Sequence, residues 1–148
     1  MNDAIGIAID EIGKWLDAMD EAEKPEKNLI VIMTDGEENA SVEYSFDKVK
    51  EMIKHQEEKY SWSFMYLGAD ITDASYAKSY GFGNRLYSTK KSLHKTYDMI
   101  NCSLNCYRGA VGSTEFKNAS FEHNLQESIT TLNDEYEKEI GKKITNNA

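Results

Sequence analysis

Apolar residues recur three or four positions apart over residues 3–20. Ile5, Ile9, Ile12, Leu16 and Met19 form the stripe with Trp15 beside them, and Asp10, Glu11, Lys14, Asp17 and Asp20 fill most of the remaining face. That period predicts an amphipathic helix, which Pro25 and its polar neighbours stop. The run Leu29-Ile30-Val31-Ile32-Met33 has no polar alternation and predicts a strand covered on both faces, as in a parallel sheet. It ends at the polar turn Thr34-Asp35-Gly36. Phe46, Val49, Met52 and Ile53 mark a second helix over 45–60, with Ser45 as its N-cap. Residues 62–68 read as a second buried strand, rich in aromatics. A short helix over 73–80 leads through Gly81 and Gly83 to a third strand at 85–88. Leu93, Tyr97, Ile100, Leu104 and Tyr107 trace a fourth helix over 90–107.

Strands alternating with helices predict an α/β fold, a truncated Rossmann-like parallel sheet of three strands flanked by helices. Residues 109–114 break the pattern, so residues 1–108 form the α/β unit and 109–148 a linker and C-terminal amphipathic helix. Phe121, Leu125, Ile129, Leu132, Tyr136 and Ile140 stripe that helix, which either packs on the sheet or engages a partner.

Charge narrows the function. The 148 residues carry a net charge of −9, which argues against direct contact with nucleic acid or an anionic membrane surface. No run of apolar residues is long enough to span a bilayer, and the acidic N-terminus has no signal-peptide pattern, so a cytoplasmic protein is expected. Cys102 and Cys106 then read as two reduced thiols facing a core, and the sequons at Asn39, Asn101 and Asn118 carry little meaning.

Catalytic signatures are missing: there is no G-x-S-x-G, no P-loop and no H-E-x-x-H. His55, His94 and His123 fall on three different predicted helices. No catalytic residue is assigned. The one suggestive position is Asp35, delivered by a buried strand to the end of an open α/β sheet, where such folds bind ligands.

The segments NDAIGIAIDEIG (2–13), VIMTDGEENAS (31–41), VKEMIKHQEEKYSWSFMYLGAD (49–70) and SLHKTYDMINCSLNCYRG (92–109) together resemble the von Willebrand factor type A domain, especially intracellular bacterial and phage members. The resemblance implies a doubly wound sheet with a metal-ion-dependent adhesion site at its top, built from three loops. Only the third loop has a counterpart, Asp35; the Asp-x-Ser-x-Ser loop and the threonine loop have none, so the N-terminal half of such a domain is missing. Magnesium wants about six oxygen ligands. Asp35, Glu37 and Glu38 share one loop, so only weak, water-mediated magnesium is expected and no firm cofactor. Asp70 and Asp73, after the second strand, extend an acidic rim.

In the family, the strand matching Leu29–Met33 sits mid-sheet, which would leave Leu29, Ile30, Val31, Ile32 and Met33 here as an exposed edge, a template for association. Two copies could pair through it, the segment after Gly112 could cover it, or a separate polypeptide could add a strand. The expected function is a non-enzymatic protein-interaction module derived from a von Willebrand factor type A domain. It would self-associate through this edge and offer acidic contacts at Glu37, Glu38, Asp70 and Asp73 to a protein partner. The alternative is a small acidic phage-encoded inhibitor of a host nucleic-acid-processing defence complex.

Overall fold

Hydrophobic runs and helical stripes become elements close to where their periods end. The computed structural model describes residues 1–34, 40–68, 74–89, 91–110, 112 and 114–141. Helix α1 is Asn2–Asp17, followed by a 3₁₀ turn at Glu21–Glu23 and strand β1 at Leu29–Thr34. Helix α2 (Phe46–Tyr60) leads to β2 (Ser63–Gly68), and helix α3 (Ala74–Tyr80) to β3 (Asn84–Tyr87). Helices α4 (Leu93–Gly109) and α5 (Thr114–Ile140) complete the described chain. Ser45 caps α2 as expected, its Oγ accepting from the Lys48 amide at 3.3 Å.

The fold is α/β: an open, all-parallel three-stranded sheet in the order β1-β2-β3, flanked by helices. Leu29 lies opposite Ser63 and Thr34 opposite Gly68; Met65 lies opposite Asn84 and Gly68 opposite Tyr87. Side chains alternate between two cores. One face packs Ile32, Phe64 and Tyr66 against Ile5 and Ile9 of α1, Val49 and Ile53 of α2, and Ala77 and Tyr80 of α3. The other packs Met65, Leu67 and Leu86 against Ile100 of α4 and Phe121, Leu125, Ile129 and Leu132 of α5.

Only the central strand is buried throughout. Every residue of β2 is buried, whereas β1 is covered fully only at Ile32; Val31 is 36% exposed and Met33 52%. The expectation that residues 29–33 are covered on both faces therefore fails for β1, because the strand lies at the edge of the sheet. The C-terminal helix packs in cis. Its first half lies across the Met65–Leu86 face, while Tyr136 and Ile140 reach round β3 into the other core. It does not pair with the outer side of β1.

The cysteine expectation is also corrected. Cys102 and Cys106 are free and exposed: the buried positions of α4 are Thr96, Ile100 and Ser103, and both thiols line the open groove between α4 and α5. Trp62 is buried and Trp15 is 58% exposed. Among the described residues, no helix is long and apolar enough to cross a membrane.

Candidate functional site

The two edges of the sheet are finished differently. In β3, the Ser88 amide donates to the Gly68 carbonyl, so Arg85 and Tyr87 turn their backbone groups away from β2. Asn133 of α5 meets both: its Oδ1 accepts from the Tyr87 amide at 3.1 Å and its Nδ2 donates to the Arg85 carbonyl at 3.0 Å. One carboxamide thus stands in for a neighbouring strand and closes this edge.

At β1 the Ser63 amide donates to the Asn28 carbonyl at 2.8 Å. In a parallel ladder the backbone groups facing the neighbour fall on alternate residues. Ile30 and Ile32 therefore bond toward β2, and the N–H and C=O groups of Leu29, Val31 and Met33 point outward. Among the described residues no strand pairs with that side. Of the five residues expected to form an interaction edge, Ile30 and Ile32 turn their side chains into the core under α1, and Leu29, Val31 and Met33 lie on the opposite face. Asp35, Glu37, Glu38, Asp70 and Asp73, the expected metal and acidic-rim positions, lie outside the described residues.

Helix α4 runs beside β1 on this second face. Tyr97, 38% exposed, donates its hydroxyl to the Met33 sulfur at 3.3 Å, while Leu104 and Tyr107 lie beside Leu29. There β1, α4 and α5 enclose a groove of about 480 Å³ whose floor is Leu29, Val31, Leu104, Tyr107 and Phe121. The Tyr107 hydroxyl is buried in it, with no hydrogen-bond partner among the described residues. Burial first, then the nearby Glu26 charge, pushes the Tyr107 phenol above its ordinary value, against an opposing pull from Lys117. Lys117 and Glu26 pair across the groove end at 3.1 Å.

Below the strands a carboxylate ties α5 to the sheet. Glu122 Oε1 accepts from Ser63 Oγ at 2.6 Å and from Lys27 Nζ at 3.0 Å, and the Lys27 side chain is only 9% exposed. Burial pushes the Glu122 carboxyl up, but bonds from Ser63, Lys27 and Asn84 together with the Lys27 charge outweigh it and hold it below its usual value.

At the opposite end, the start of α1 grips the segment that returns from β1. The Asp3 carboxylate accepts from the amides of Val42, Glu43 and Tyr44 at 2.7, 2.9 and 2.8 Å, and Ser41 Oγ accepts from the Asp3 amide at 3.0 Å. Buried Asn2 accepts from the Tyr80 hydroxyl. The Tyr44 ring lies on Gly6 and its hydroxyl donates to Asp10 at 2.6 Å, a bond that, with lesser help from burial, pushes the phenol up to about 12.

Of the three histidines, His94 and His123 form exposed helical pairs with Asp98 and Glu127 at 2.9 and 3.7 Å, and His55 stacks edge-on against Tyr60. Among the described residues no cluster of three or more His, Cys, Asp or Glu could hold a metal ion. Sequence reasoning missed Asn133 and the groove. Asn133 is one of four amides in α5, with Asn118, Asn124 and Gln126, so nothing in the sequence singled it out, and the groove depends on a crossing of α4 and α5 that periodicity does not encode. Comparison with protein families, characterised proteins and solved structures found no match to this chain.

Proposed function

We propose that this protein is a non-enzymatic, von Willebrand factor type A-like interaction module that works as a homodimer joined through the β1 edge. One observation carries the reading: among the described residues no strand covers the apolar β1 edge, while Asn133 engages the β3 edge. An edge strand with no charged side chain between Asn28 and Thr34 lacks the lysines and prolines by which such strands avoid association. The two exposed, unbridged thiols on α4 suit the reducing cytoplasm.

Light scattering across a wide range of protein concentration tests this directly. A mass near twice 16.9 kDa is expected, and a monomer at every concentration would sink the reading. Val31→Pro is the sharpest variant. The Val31 amide faces outward, so proline there removes no bond to β2 but blocks strand addition, and it should give a folded monomer. Val31 is preferable to Ile30 or Ile32, whose side chains serve the core under α1.

A further inference from the structure

Resting on that homodimer reading, we propose a specific register. The two β1 strands run antiparallel about a two-fold axis at Val31, and Met33 of each copy enters the groove beside Leu29 of the other.

Edge chemistry selects the symmetry. A contact between β1 of one copy and β3 of another would be heterologous and would grow a filament. Asn133 already occupies the Tyr87 amide and the Arg85 carbonyl, two of the outward groups such a contact needs. Pairing of β1 with β1 is isologous and closes at two copies.

Register follows from the outward groups. They fall on Leu29, Val31 and Met33, and hydrogen-bonded antiparallel pairs must match outward residues with outward residues. A centre at Val31 pairs Val31 with itself and Leu29 with Met33, using every outward residue of both strands. A centre at Ile30 would set Met33 against position 27, and a centre at Ile32 would set Leu29 against position 35; both positions lie outside β1.

Side chains agree with this choice. On the α1 face Ile30 meets Ile32, and on the other face Val31 meets Val31 and Leu29 meets Met33, so every pair between Leu29 and Met33 is apolar and most are β-branched. Met33 is 52% exposed even with its sulfur against the Tyr97 hydroxyl of its own copy, and it lies on the same face as Leu29, which lines the groove. An unbranched thioether adapts to an irregular slot lined by Tyr107 and Phe121.

Cysteine mapping tests the register in a Cys102→Ser/Cys106→Ser background, which removes both native exposed thiols. With a short thiol-to-thiol crosslinker, Val31→Cys should link to itself. Met33→Cys should not link to itself but should link to Leu29→Cys when the two proteins are mixed. Met33→Lys should weaken dimerisation by about tenfold or more while the circular dichroism of the monomer is unchanged. A dimer by light scattering with a different crosslink pattern would overturn the register and leave the homodimer standing. A monomer at all concentrations would overturn both. A dimer unaffected by Met33→Lys would remove the methionine from the groove.

Discussion

Two glycines of α1 separate packing from propensity at single residues. A Cβ on Gly6 would overlap the Tyr44 ring, whereas one on Gly13 would meet nothing within 4 Å. Gly6→Ala should therefore cost about 1–3 kcal/mol by displacing the ring from α1. Gly13→Ala should gain about 0.5–1 kcal/mol from helix propensity alone. Thermal melts of the two variants should move in opposite directions. The pair Glu57 and Glu122 makes a similar contrast in pH. Burial, then repulsion from Glu122 and Glu58, raises the Glu57 carboxyl, so its contribution is present below its ordinary pKa and lost as pH rises through the raised value. Glu122 is lowered on balance, so its contribution is present above the ordinary carboxylate range and lost as pH falls through the lowered value. Glu57→Gln should raise the melting temperature at pH 7, with the gain shrinking toward pH 4. Glu122→Gln should lower it at pH 7, with the loss shrinking in acid. Melting curves of both variants between pH 3 and pH 8 check the two signs.

Elements were largely legible in the sequence; the way they finish the sheet was not. Asn133 is the clearest case. Replacing it by Leu keeps the branching at Cγ but strips the Tyr87 amide and the Arg85 carbonyl of their partner, which should cost about 1–3 kcal/mol. The variant would also own two open edges, so species larger than a dimer should appear in light scattering. Helix stripes and apolar runs located every described helix and strand within a few residues, because a 3.6-residue or unbroken apolar pattern reports burial of the element itself. An unbroken run is identical for a central and an edge strand, so Leu29–Met33 read as covered when half of it is open. The thiols misled for a similar reason. Four-residue spacing puts Cys102 and Cys106 on one face of α4, but how deeply that face is buried beside α5 depends on a helix crossing that one stripe cannot specify. Of the expected site, the edge residues could be placed, and their division into core-facing and outward-facing positions needed the strand register.

For the whole molecule, charge provides the means of telling what kind of surface would join two copies in the proposed dimer. Each copy carries −9, so bringing two together costs repulsion across their surfaces, and that cost falls as salt shortens the screening length from about 30 Å at 0.01 M to about 8 Å at 0.15 M. The β1 seam contributes nothing of opposite sign, since no residue from Asn28 to Thr34 is charged. Its attraction is backbone pairing and apolar contact, which modest salt leaves nearly untouched. Dimerisation through β1 should therefore tighten as salt rises over that range. An interface built on acidic groups meeting basic ones, such as Lys54, Lys91 or Arg108 of a second copy, would loosen over the same range. Because association stabilises the folded chain by mass action, the melting temperature should also climb with protein concentration, and more steeply at the higher salt. Sedimentation equilibrium at the two ionic strengths reads the first effect and a concentration series of melts reads the second. Weaker dimers at 0.15 M salt would mean that charged side chains, and not the bare edge of β1, hold the copies together.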